Sequence, residues 1–263
     1  MLPVLYRDDW LVAIHKPAGL LVHRSALDAG ETHFALQMLR NQIGRRVWPA
    51  HRLDRGTSGV LLFALDEAAS RALCAQFESR QIGKRYAAVV RGHPPESGEI
   101  DHPLSVLPED RPFADFAEPR QARTLYRRLA TTELPYRVDR YPTSRYALLE
   151  LEPVTGRRHQ LRRHLKHVSH PIIGDATYGK GGHNRLFHAL LGCRRLLLAC
   201  TELRLRHPVT GAPVVISAPL AEDFAKVVRR LDWAGSVPAG WLSQDQPLGS
   251  GTKRPPGNGC GSA

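Results

Sequence analysis

The sequence predicts an α+β domain over residues 1 to about 235, followed by a tail. Three observations carry that expectation. Val60-Leu61-Leu62-Phe63-Ala64 is an unbroken apolar run, the pattern of a strand covered on both faces. Glu67 to Ser79 places Ala69, Leu73 and Phe77 at four-residue spacing, which puts them on one face of an amphipathic helix. Strand-like segments then crowd the second half, with no internal repeat and no linker to divide them.

In chain order, Val4-Leu5-Tyr6, Asp8-Asp9 and Trp10 to Ile14 predict an opening hairpin. Lys16-Pro17-Ala18-Gly19 reads as a turn, and Leu20-Leu21-Val22 resumes extended structure. Thr32 to Arg40 predicts a helix with Phe34, Leu36 and Leu39 as its apolar positions. After the 60–64 strand and the 67–79 helix, Lys84 to Val90 predicts another strand, ended by Gly92 and Pro94-Pro95. Ser105 to Gln121 is polar, proline-rich and aperiodic, so it reads as a surface excursion. Further strands are expected at Thr124 to Leu129, Ala147 to Leu151, Leu196 to Leu205 and Val214 to Ile216. Residues 236–263 form the tail. From Ser243 its 21 residues hold five Gly and three Pro, a composition that predicts disorder.

The chain carries 37 Lys+Arg against 25 Asp+Glu, a formal charge of +12. Such a surplus favours a polyanionic partner, because each phosphate neutralised releases counterions. No amphipathic basic helix with an aromatic face supports a membrane surface, and no apolar run approaches a membrane span. Four scattered cysteines without a C-x-x-C pair predict reduced thiols and a cytoplasmic protein. Neither G-x-x-x-x-G-K-[ST] nor G-x-G-x-x-G occurs, so no nucleotide cofactor is expected. Clustered carboxylates for two-metal phosphoryl chemistry and a G-x-S-x-G elbow around Ser58 are also missing.

Two stretches concentrate chemistry. His51-Arg52-Leu53-Asp54-Arg55-Gly56-Thr57-Ser58-Gly59 crowds four ionisable side chains just before the apolar strand. A carboxylate at the mouth of a core strand is costly unless paired, and chains usually keep one there for chemistry. Thr155-Gly156 then leads into a basic helix whose Leu161, Leu165 and Val168 share one face. Arg157, Arg158, Arg163 and Lys166 present positive charge without a compensating acid, and a helix entered through Gly suits a phosphate backbone. The bland alternative is a solvated basic face. His159, His164, His167 and His170 invite a metal reading, which the missing Cys and carboxylates and five nearby cations disfavour. Tyr86, after Lys84-Arg85, is either a packed strand aromatic or a ring for a base to stack on.

Taken together, His51-Arg52-Leu53-Asp54 with Thr57 to Val60, Lys84-Arg85-Tyr86 and Thr155-Gly156-Arg157-x-His159-Gln160-Leu161-Arg162-x-His164 resemble the signature motifs of the RluA-type pseudouridine synthases. His170-Pro171-Ile172-Ile173-Gly174-Asp175 also matches. One departure is Ala199, where many members carry histidine. The resemblance implies a single pseudouridine-synthase-type domain, α+β, with a central mixed, mostly antiparallel sheet flanked by helices. It implies an isomerase that converts uridine in RNA to pseudouridine without cofactor or metal. Asp54 would be the essential carboxylate, Arg162 its partner keeping it ionised, and Tyr86 the ring under the base. Arg52 would fill the space left by the flipped uridine, with His51 and Arg55 as further RNA contacts. Within the family, Leu21 to Ser25, Tyr141 to Tyr146 and Arg162-Arg163-His164-Leu165 resemble members that act on tRNA, and that resemblance implies uridine 65 as the substrate. A ribosomal RNA hairpin and a non-catalytic RNA-binding role are the alternatives, and a monomer is the default expectation.

Overall fold

The computed structural model describes residues 1–23, 30–107, 118–242 and, as backbone, 249–250. The centre of the excursion and nearly all of the glycine-rich tail therefore lie outside the described residues. One sheet organises the fold. Its strands run in the order β11-β1-β2-β4-β9-β5-β8-β7-β6, with β3 added to β4 and β10 to β9. They comprise β1 (Val4–Arg7), β2 (Leu11–Lys16), β3 (Trp48–Pro49), β4 (Ser58–Ala64), β5 (Gly83–Arg91) and β6 (Ser97–Asp101). The rest are β7 (Arg123–Leu134), β8 (Ser144–Pro153), β9 (Leu198–Arg206), β10 (Pro213–Ser217) and β11 (Gly249–Ser250). Only β4–β9 and β1–β11 pair in parallel, so the sheet is mixed and mostly antiparallel, as expected.

Strand parity divides the core into two layers. Tyr86, Ala88 and Val90 of β5 join one cluster with Leu149 and Leu151 of β8. Covering this face are α1 (Ala35–Ile43), α2 (Glu67–Glu78) and α3 (Gln160–His167). Ala87 and Val89 point the other way, with Tyr146, Leu148 and Ala199, under α4 (Gly181–Leu191) and α5 (Glu222–Arg230). The central strand β4 is buried at all seven positions, which explains its unbroken apolar run. Gly59 sits at φ +107°, and a Cβ there would lie 1.9 Å from the Cys200 carbonyl oxygen. Only glycine lets β4 approach β9 so closely.

Several elements differ from expectation. α1 starts at Ala35, and Phe34 occupies the capping position, buried. The helices α4 and α5 and the edge strand β6 were not anticipated. The fold also continues past residue 235: Trp241 is buried in the second layer, and its carbonyl accepts from Leu220 N–H.

Candidate active site

β3 and β4 run antiparallel, and residues 51–57 form the return between them. The Thr57 N–H closes the turn on the Asp54 carbonyl at 3.0 Å, leaving the Asp54 side chain 20 % exposed at the tip. A cleft of about 340 Å³ opens beside it. Lining it are Asp54 and Arg52 from the turn, Lys84 and Tyr86 from β5, and the 155–162 segment. The site thus gathers residues more than 100 positions apart, such as Asp54 and Arg162, whose Nη1 donates to Asp54 Oδ2 at 3.1 Å.

Arg162 is shared. Its Nε and Nη2 donate to both oxygens of Asp175, at 2.7 and 2.9 Å, while Nη1 reaches out to Asp54. Burial opposes its charge, but Asp175 and then Asp54 outweigh burial and move its pKa above the usual arginine value. The Asp175 side chain has no exposed surface, and it also accepts the N–H groups of Thr177 and Tyr178. Gly174 just before it adopts φ +79°, and a Cβ would lie 1.8 Å from the Arg195 carbonyl oxygen, so the chain can enter this turn only with glycine. The result is a fixed fork: one guanidinium, oriented by a fully satisfied inner carboxylate, presenting one N–H to an outer carboxylate at the cleft.

The basic segment is built differently from its sequence pattern. α3 opens at Gln160 through His159 in a left-handed conformation (φ 54°), not through Gly156. Gln160 is buried and acts as the hub of the preceding turn. Its Oε1 accepts from the Thr155 hydroxyl (2.6 Å) and the Arg157 N–H (3.0 Å). Its Nε2 donates to the Arg123 carbonyl (2.9 Å) and to Thr124 Oγ1 (3.0 Å). His159 lines the cleft, with Nδ1 3.1 Å from the Tyr178 hydroxyl and Nε2 3.8 Å from Asp54. Burial lowers its pKa; Asp54 opposes that and Arg162 and Arg158 reinforce it.

The anticipated RNA contacts separate. Arg52, Arg157 and Arg158 line the cleft. Arg55 does not: it pairs with Glu31 and donates to the Gly19 carbonyl. Arg163 donates to the Ser105 carbonyl at 2.8 Å, and Lys166 lies over the Tyr178 ring; neither lines the cleft. His51 cannot act as a cation here. Its Nε2 accepts from Leu62 N–H, its ring stacks on Phe77, and burial pushes its pKa down to about 3. Tyr86 is buried with its pKa pushed well up, by burial first and then by Cys200 and Asp54. It is therefore held as a neutral phenol. His164, offered for a metal, is a core residue whose nitrogens meet Thr124 Oγ1 and the His102 carbonyl.

Sequence reasoning missed Lys16 and the parts played by Gln160 and Asp175. Lys16 is fully buried, with Nζ donating to the carbonyls of Pro17, Leu20 and Arg55 at 2.9, 2.7 and 3.2 Å. It ties the 17–20 turn to the Asp54 turn. Burial, and then Arg195, brings its pKa down to about 7. The available signal was parity: Lys16 continues the alternation of Val12 and Ile14 into a buried strand end.

The family described as RNA pseudouridylate synthase matches residues 10–167. The chain is 49 % identical over 235 residues to tRNA pseudouridine synthase C of Haemophilus ducreyi, covering 88 % of this chain and 96 % of that one. It is 50 % identical over 242 residues to the protein of that name from Salmonella typhi, covering 90 % and 93 %. Among solved structures, human RNA pseudouridylate synthase domain containing 4 superposes with a TM-score of 0.66 at 27 % identity, over 88 % of this chain and 93 % of that one.

Proposed function

Because the chain belongs to the RNA pseudouridylate synthase family, we propose that the cleft isomerises a uridine of tRNA, at position 65, with Asp54 as the catalytic carboxylate. The observation that carries this reading is the Asp54–Arg162–Asp175 fork, which presents one held, partly exposed carboxylate to a cleft floored by Tyr86. The reaction breaks the N1–C1′ bond and forms C5–C1′. Asp54 either attacks C1′ or removes the 2′ proton, and both routes use an ionised carboxylate. Tyr86 offers a ring face to the extruded base, near C5, where a proton must leave. Arg52, exposed at the lip, enters the stack that the uridine leaves, and Arg157 and Arg158 meet the phosphates beside it.

The tRNA substrate is supported by relatives of that name at about half identity over most of both chains. The enzyme acts as a cytoplasmic monomer. The test is pseudouridine mapping on unmodified tRNA and ribosomal RNA transcripts treated with wild-type protein or Asp54→Ala. A single Asp54-dependent product at tRNA position 65 is expected. A product only in ribosomal RNA would overturn the substrate, and an active Asp54→Ala would overturn the catalytic assignment.

A further inference from the structure

The cleft contains a cation that the reading above leaves unused. Lys84 stands two residues before Tyr86 on β5, so both side chains leave the same face of the strand. Both line the cleft. Among the described residues the Lys84 ammonium makes one hydrogen bond, a long one of 3.3 Å to the Thr155 carbonyl. Among the described residues no carboxylate lies within ion-pair distance of it. The contrast with its strand neighbour is direct, since Arg85 pairs with Glu152 at 3.0 Å on the opposite face. A half-buried ammonium without a counterion is costly to keep, and Met or Leu would fill the same space at lower cost. Burial, helped by Arg80, lowers its pKa, while Cys200 opposes that.

Resting on the cleft as the seat of the uridine, we propose that Lys84 is a further catalytic residue, whose ammonium hydrogen-bonds a carbonyl oxygen of the detached uracil. By either route open to Asp54, the C1′–N1 bond breaks with its electron pair leaving on the base. The free ring is then an anion whose charge spreads over N1, O2 and O4. It turns and C5 forms the bond to C1′, as the Asp54–C1′ ester breaks on the one route or the 2′ proton returns from Asp54 to C2′ on the other. C5 then gives up its proton and N1 gains one, so atoms and electrons balance without any co-reactant. Negative charge is larger on the detached ring than on the bound uridine. A fixed cation at the ring edge therefore stabilises the separated state more than the ground state, which is the condition for catalysis. Tyr86 below the ring and Lys84 at its edge would hold the base inside the cleft while it turns.

The test compares wild type, Lys84→Met, Lys84→Arg and Asp54→Ala in single-turnover conversion of an unmodified tRNA transcript, enzyme in excess. RNA affinity is measured in parallel at two salt concentrations. Lys84→Met should slow conversion about 10²-fold, the usual loss for one donor at a developing charge. Affinity and its salt slope should stay within about twofold, and Lys84→Arg should recover most of the rate. Raising the pH should slow wild type as Lys84 deprotonates, whereas Lys84→Arg should keep its rate to higher pH. His51, Cys200, Arg80 and Lys16 are the same in both proteins, so this difference belongs to position 84 and decides the matter even if Lys84→Met does not fold. Full activity of Lys84→Met beside an inactive Asp54→Ala would overturn the role of Lys84 alone. So would a loss that lies entirely in affinity, which would make Lys84 a phosphate contact. An active Asp54→Ala would remove the reading of the cleft and the inference with it.

Discussion

The two faces of the central sheet are covered alike by helices but do different work. Under α4 and α5 the layer is mainly apolar, built on Phe187, Phe224, Val228 and Trp233, and it includes the buried Tyr146–His183 hydrogen bond. Under α3 the same depth of burial holds Gln160, His164, Thr124 and Thr155, each hydrogen-bonded to another element. Lys16 and Asp175 are similarly buried and satisfied. A polar group buried with its partners adds little net stability but allows few alternative arrangements. The apolar face therefore supplies stability, and the polar face holds the 51–57 and 155–159 turns where Asp54 and Arg162 can meet.

Substitutions on the two faces should accordingly fail in different ways. The largest expected effect is on chemistry: Asp54→Asn should lower the single-turnover rate on the order of 10⁴-fold. Its melting temperature and tRNA affinity should stay close to wild type, and a residual rate near wild type would contradict the division. Next comes Phe224→Ala, which removes a fully buried ring from the apolar face. Denaturant unfolding should show a loss of about 3–5 kcal/mol, with the rate per folded molecule unchanged below the transition.

Asp175→Ala tests the border, since it strips Arg162 of its inner partner. A loss of about 3 kcal/mol is expected in the same unfolding assay, together with a fall in rate that Phe224→Ala does not show. Its acid dependence has a definite sign. Burial raises the Asp175 pKa, but the hydrogen bonds from Arg162 and the Tyr178 and Thr177 N–H groups outweigh this, leaving it below 3.8. The stability it contributes is thus fully present above that pH and is lost as pH falls through the lower, folded value. Melting curves between pH 6 and pH 3 should drop less steeply for Asp175→Ala than for wild type. The smallest effect separates two arginines of similar sequence appeal. Arg157→Gln should lower the salt slope of tRNA binding by about 1, whereas Arg55→Gln, tied to Glu31 away from the cleft, should leave it unchanged.

Local pattern already contained much of this molecule. The apolar run at β4, the four-residue spacing of α2 and the leucine face of α3 needed only short-range periodicity, because burial on a strand or helix repeats every two or three to four residues. The motifs around Asp54, Tyr86 and Arg162 also stood out in the sequence, since ionisable groups beside core strands are rarely neutral in cost. α4 was hidden because it opens with Gly181-Gly182, poor helix formers. It is held instead by burying Phe187 and Leu191 and by the left-handed cap at Gly192. α5 showed a helical spacing in Phe224, Val227, Val228 and Leu231 that went unread.

Which charges do chemistry was beyond local pattern. Arg52, Arg55, Arg157, Arg158, Arg163 and Lys166 look alike along the chain, yet three line the cleft and three do not. His51 has the appearance of a cation and is a neutral acceptor within the fold. Asp175 and Lys16 are ordinary charged letters until the tertiary structure buries them against Arg162 and three carbonyls. The sequence by itself determined the class of fold, the family and the residues able to carry charge. Only the tertiary structure decided which of those charges face the cleft, because electrostatic partnership depends on separations of a few ångströms between residues distant in the chain.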